Sequence, residues 1–136
     1  MRTFDTNVVA RSVLGDDPQQ AALAARQWLA GLRTGGIFLP VVVLMEVVWV
    51  LARTAKLSRE RILSELQRLT DMEGVWVENV PVVRRAIQLY ANSSADFADC
   101  LVLESARSAD ALPVHTFDRR FARHAEVSLI TPEAAP

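Results

Sequence analysis

Apolar residues recur along the chain at two spacings, near two and near 3.6, and the change from one to the other lays out the elements. Met1 to Asp5 reads as a short strand, followed by a helix from about Thr6 to Leu14. Asp16-Asp17-Pro18 has the form of a helix start, an acid before a proline in the first turn. That helix runs to about Arg33, with Ala21, Ala24, Ala25, Trp28, Leu29 and Leu32 on one stripe, and Gly35-Gly36 ends it. Ile37 to Leu39 is a second strand, and Pro40 to about Thr54 a helix that is apolar nearly all round. Ser58 caps another helix, striped by Ile62, Leu66 and Leu69. Val75 to Val77 is a strand, Val82 to Ala91 a helix with Pro81 near its first turn. Asp96 or its neighbour opens a helix to about Ala109. Pro113 to Phe117 is a strand, Asp118 to His124 a short helix, and Val127 to Ile130 a last strand.

Strands alternating with helices predict an α/β sandwich with a mainly parallel sheet. In such sheets, sites lie beyond the carboxyl ends of the strands. Thr-Phe-Asp occurs twice, at Thr3-Phe4-Asp5 and at Thr116-Phe117-Asp118, each time after a strand-like run and before a helix-like one. Two parallel strands would thus deliver two carboxylates to one sheet edge. Each aspartate could equally cap the helix that follows it.

Glu46 is the one charge between Pro40 and Arg53. An apolar circumference implies a buried helix, where an ionised carboxylate needs an arginine partner, a proton or a metal. In SSADFADCLVLESARSA, Asp96 and Asp99 are three apart and project from one side of the helix start. Capping accounts for Asp96. It accounts less well for Asp99, which shares a stripe with Val102, Leu103 and Ala106. Acids gathered at one place repel unless cations neutralise them. Oxygen donors without a cysteine or histidine cluster select Mg²⁺ or Mn²⁺ rather than zinc.

Composition narrows this picture. A chain of 136 residues, half of them apolar, suits one compact domain, with disorder expected only in the final TPEAAP. The net charge of -1 excludes a strongly basic nucleic-acid coat. Cys100 is the lone cysteine, which removes any disulfide framework and points to a reducing, cytoplasmic setting as a buried core residue. Asp5 interrupts any secretory leader at once. The apolar run from Ile37 to Ala52 holds Pro40 and Glu46 and is short for a membrane span.

FDTNVV at the start, LMEVVWVL in the third helix, ADFADCLVLESA, and HTFDRRF near the end together resemble the PIN domain, and their size and spacing are similar to VapC-type toxins, the ribonuclease halves of bacterial toxin–antitoxin pairs. The resemblance spans essentially the whole chain. It implies a three-layer α/β/α sandwich over residues 1–131, with 132–136 as a short tail. It implies that Asp5, Glu46, Asp99 and Asp118 form the catalytic, metal-holding acidic site, with Asp96 as an accessory acid. Asn7 and Thr116 are implied as groups behind the acids or touching phosphate, and Arg11, Arg119 and Arg120 as RNA contacts. A first-turn backbone bond for Asn7, a plain strand position for Thr116 and a solvated helix face for the arginines account for the same residues. Many members carry a second acid after the last aspartate. This chain has Arg119-Arg120 there, extended by Arg123 and His124, which argues against a second fully ligated ion.

The implied activity is Mg²⁺-dependent (or Mn²⁺-dependent) endoribonucleolytic hydrolysis, with in-line attack of water breaking the P–O3′ bond. The implied partners are RNA, a small VapB-type antitoxin and a second copy of the chain, with no membrane. Trp28, Trp49 and Trp76 are candidates for a paired surface, or for the core. A non-catalytic PIN-like binding or scaffold module is the alternative. A phosphoacceptor domain fits poorly, because Lys56 is the sole lysine.

Overall fold

The computed structural model describes residues 1–134, and the chain divides into two compact units, Met1–Val80 and the segment from Pro81 onward. Every strand pairing is parallel. The α/β class expected from the alternating pattern is therefore the class observed.

In the first unit the order is β1 (Arg2–Thr3), α1 (Thr6–Leu14), α2 (Pro18–Arg33), β2 (Ile37–Leu39), α3 (Val41–Trp49), a π-helical turn (Val50–Thr54), α4 (Arg59–Asp71) and β3 (Val75–Val77). The strands form a three-stranded sheet in the order β1-β2-β3, with Arg2 opposite Ile37 and Ile37 opposite Val75. Strands this short persist because the chain around them is fixed. Asp17 accepts a hydrogen bond from the Gln20 amide and Pro18 opens α2, as the sequence predicts. Ser58 likewise accepts from the Arg61 amide at the head of α4. Gly36 leads into β2 at φ 98°, and a Cβ there would stand 2.8 Å from the Gly74 carbonyl oxygen, so glycine is required on both counts. Ile37, Leu39, Leu44, Leu51, Ile62 and Leu69 are fully buried in this unit.

The helix expected from Pro40 to Thr54 changes form halfway. The Ala55 amide donates to the Val50 carbonyl at 3.0 Å and the Leu57 amide to Leu51 at 2.9 Å. Bonds five and six residues apart widen the last turn into a π-bulge, which the apolar pattern does not announce. Among the described residues, no helix is long and apolar enough to cross a membrane.

The second unit holds most of α5 (Val80–Ala91), then α6 (Phe97–Ser108), β4 (Val114–Thr116), a 3₁₀ turn (Phe121–Arg123), β5 (Val127–Leu129) and a 3₁₀ turn at Pro132–Ala134. β4 and β5 pair as their own two-stranded sheet, Val114 opposite Val127. Leu103, Phe121 and Val127 form its buried cluster, with Leu89, Val114 and Ala122 against it. Cys100 is fully buried, as expected. In the expected tail, Pro132–Ala134 form a 3₁₀ turn and residues 135–136 lie outside the described residues.

Candidate functional site

Each unit carries its own share of the residues singled out in the sequence. In the first, Asp5 follows β1 and adopts the extended backbone of an N-cap, its Oδ1 accepting from the Val8 amide at 3.2 Å. The capping role is thus real. It occupies one carboxylate oxygen of an exposed side chain and leaves the other without a hydrogen bond among the described residues.

Glu46 corrects the sequence expectation. It was expected to be buried on an apolar helix, yet it is exposed. α3 buries Val43, Leu44, Val47 and Val48 and turns Val42, Glu46 and Trp49 outward, a stripe at i, i+4 and i+7. The outward face is itself apolar on either side of Glu46, so hydrophobicity alone could not separate it from the inward face. No arginine pairs with Glu46 among the described residues. Instead the Thr6 hydroxyl donates to Glu46 Oε2 at 2.9 Å. That bond ties the start of α1 to α3 across 40 positions, and Thr6 had no distinguishing mark in the sequence beyond following Asp5.

Asn7 is exposed, and its side chain makes no hydrogen bond among the described residues, so the first-turn backbone bond does not form. It shares a cavity with Asp5, Val8, Arg11, Leu23 and Gln27. Arg11 is committed to an ion pair, its Nη1 2.6 Å from Asp16 Oδ1. The hydrogen bond from that guanidinium, followed by its charge, holds the Asp16 carboxyl below its ordinary range.

The second unit gathers three of the acids. Asp96 has the backbone of an N-cap, but its side chain makes no capping hydrogen bond. The simple capping account therefore fails at the residue for which the sequence favoured it. Asp99 lies in the first turn of α6, half-buried. Asp118 stands two residues past β4, and its Oδ1 accepts from the amides of Arg120 at 2.8 Å and Phe121 at 3.3 Å. Thr116 Oγ1 accepts from the Asp118 amide at 3.0 Å. Thr116 is thus more than a residue of strand preference: it holds the backbone of Asp118. These bonds, with the Ala122 amide donating to the Asp118 carbonyl, tighten the expected helix from Asp118 to His124 into a turn and three 3₁₀ residues.

Asp96, Asp99, Asp118, Arg120 and His124 line one partly open cleft, polar over most of its wall. The Asp99 carboxyl is pushed above its ordinary value, first by burial, then by the negative charges of Asp96 and Asp118, with His124 pulling the other way. Asp99 therefore lies within electrostatic reach of both other carboxylates. Among the described residues, no three His, Cys, Asp or Glu side chains are drawn close enough to ligate one metal ion. The donor set fits a hard divalent cation that keeps part of its water shell, as Mg²⁺ does. His124, which the sequence places only on the basic stretch after Asp118, belongs to this cleft; its ring meets Phe121 edge-on at 6.0 Å. Arg119, Arg120 and Arg123 are exposed, and His115 is an exposed strand residue, as read.

Among the described residues the buried carboxylate is Glu104, which nothing in the sequence singles out. It is 6% exposed and lies 3.4 Å from Arg85 Nε and 3.3 Å from Arg107 Nε. Arg107 also reaches Glu126 at 2.6 Å. Arg107 three residues on was the local signal; Arg85 is visible only in the fold.

Residues 3–127 match the family model of the PIN domain, and the chain belongs to that family. It is similar to the VapC ribonuclease of Aquifex aeolicus (strain VF5), with 30% identity over 123 residues, 89% of this chain and 90% of that protein.

Proposed function

We propose that the chain is a VapC-type endoribonuclease that hydrolyses RNA phosphodiester bonds with Mg²⁺ or Mn²⁺, its two units working as one PIN domain over residues 1–131 with 132–136 as a tail. The observation that carries this reading is the cleft that brings Asp96 and Asp118 beside Asp99, whose proton affinity is raised first by burial and then by those two charges. Carboxylates under that mutual pressure gain most from a divalent cation. The near-equal coverage of this chain and the VapC ribonuclease it resembles supports carrying that activity over.

In the second unit Asp96, Asp99 and Asp118 would hold the ion in part through its water shell, and the resemblance adds Asp5 and Glu46 to the catalytic set. When bound, a divalent cation polarises a phosphoryl oxygen and lowers the pKa of its water. The protein groups do the positioning. Thr116 and the amides of Arg120 and Phe121 fix Asp118, Thr6 fixes Glu46, and the Val8 amide fixes Asp5. Arg119 and Arg120 supply positive charge for the RNA backbone beside Asp118. Asn7, with its amide unengaged, is placed to contact phosphate near Asp5. Arg11 does so only by leaving Asp16.

A VapB-type antitoxin and a second copy of the chain complete the reading, in a cytoplasmic setting. Two of the three tryptophans support a covered face: Trp49 is 61% and Trp76 60% exposed, while Trp28 is buried. Apolar area of that kind suits a protein partner.

The test is Asp99→Asn and Asp118→Asn assayed on RNA in Mg²⁺, with cleavage expected to fall about a hundredfold or more. Cleavage near the wild-type rate by folded variants overturns the assignment. Millimolar Mn²⁺ should raise the wild-type melting temperature through linkage, and Asp99→Asn should blunt the rise. A melting curve indifferent to metal, with no cleavage, is the outcome that favours a non-catalytic PIN-like module.

A further inference from the structure

Phe117 is the most exposed large apolar residue among those described, at 79%. It makes no ring contact with any described residue. It immediately precedes Asp118, so the two Cα atoms stand about 3.8 Å apart. The segment that carries it is not loose. Thr116 holds the Asp118 amide, Asp118 caps the turn that follows, and four residues on Phe121 is buried against Leu103 and Val127. One phenylalanine of HTFDRRF anchors the turn and the other is held out from it on a fixed stem. Arg119, Arg120 and Arg123 are exposed on the same segment, with no carboxylate within ion-pair distance among the described residues.

An outward aromatic ring on an anchored segment, flanked by unpaired guanidinium groups, is an arrangement that suits single-stranded nucleic acid, the ring stacking on a base and the cations following the backbone. The cleft beside Asp118 is lined chiefly by carboxylates, Arg120 and His124, and suits an ion and a phosphate oxygen better than the apolar face of a base. The base of the nucleotide whose phosphate lies there must sit outside it, and Phe117 is the apolar surface next along the chain. We propose that Phe117 is the stacking platform for a nucleobase flanking the scissile phosphate. The inference rests on the ribonuclease reading and adds to it a residue that touches substrate without touching the reacting atoms.

The full-length chain is assayed on a single-stranded RNA in Mg²⁺ as wild type, Phe117→Ala, Phe117→Leu and Phe117→Trp, with melting temperatures measured alongside. Alanine and leucine are expected to lower kcat/KM about tenfold, because stacking needs a π-face, and tryptophan to retain it. All melting temperatures should match wild type, since the ring lies largely in solvent. An abasic residue is then walked along the RNA. At one position beside the cut it should slow wild type about tenfold and leave Phe117→Ala unaffected. The inference is overturned if alanine cleaves like wild type, if leucine keeps what alanine loses (an apolar contact with a protein partner), or if alanine lowers the melting temperature. Wild-type protein that cleaves no RNA in any metal removes the ribonuclease reading itself, and the stacking role with it.

Discussion

The two Thr-Phe-Asp segments share three residues, a preceding strand and a following cap, yet their phenylalanines meet opposite fates. Phe4 is 8% exposed and stacks on Trp28 with ring centroids 5.7 Å apart. Phe117 stands in solvent. Asp5 and Asp118 behave alike, each capping the turn after it. Capping is settled within four residues by backbone amides and a short side chain, so a repeated sequence repeats it. Burial of the middle ring depends on what folds over it from far away. α2 brings Trp28 to Phe4, and no described ring comes to Phe117.

The sharpest way to break this contrast is truncation of each ring. Phe4→Ala should cost about 3–5 kcal/mol, the range for emptying a packed aromatic site, read by chemical denaturation. Phe117→Ala should stay within about 0.5 kcal/mol of wild type. Equal losses would mean that the two environments are not different. Next in size are the caps. Asp5→Ala and Asp118→Ala should each cost about 1 kcal/mol, while the asparagine variants, which still cap, should cost much less. Thr116→Val should then cost somewhat under 1 kcal/mol, because the Asp118 amide loses its acceptor at a site open to water. Thr3 has no such bond, so Thr3→Val should be silent in the same assay.

The smallest effect concerns Asp99. Its folded-state pKa is raised from the ordinary 3.8, so the charged form is disfavoured by folding. The destabilisation is absent below about that pH, where folded and unfolded chains both hold the proton. It grows as pH rises through the raised value and is complete at neutral pH. Asp99→Asn should therefore raise the melting temperature at pH 7, and the gain should vanish toward pH 4. Partial exposure keeps it modest. A gain independent of pH would assign the effect to packing instead of charge.

Much of the architecture was legible because it is local. Pro18 after Asp17, Ser58 before α4 and Gly35-Gly36 before β2 each mark a boundary by backbone chemistry confined to a few residues. Glu46 shows where that stops. Its apolar flanks signalled burial, but Val42 and Trp49 are apolar residues left facing out, and a hydrophobic pattern cannot tell an uncovered face from a core. Glu104 is the converse, an ordinary-looking acid buried because Arg85 arrives from α5. The division of the strands into three and two, and the widened turn after Trp49, depend on pairings between distant segments. Among the candidate site residues, Asp5, Asp99 and Asp118 stand out in the sequence by their positions at strand ends and helix starts, whereas Thr6 and His124 become candidates only in the fold.

All three tryptophans lie within the first eighty residues, Trp28 beside the Met72 sulfur at 3.3 Å and Trp49 and Trp76 in water. Tryptophan fluorescence therefore reports on one half of the chain, with a quencher such as acrylamide able to separate the two outer indoles from the inner one. The half that carries Asp96, Asp99 and Asp118 has Tyr90 but no indole. A single indole placed at position 117 would light it, and its emission would follow a nucleotide arriving there without any label on the RNA.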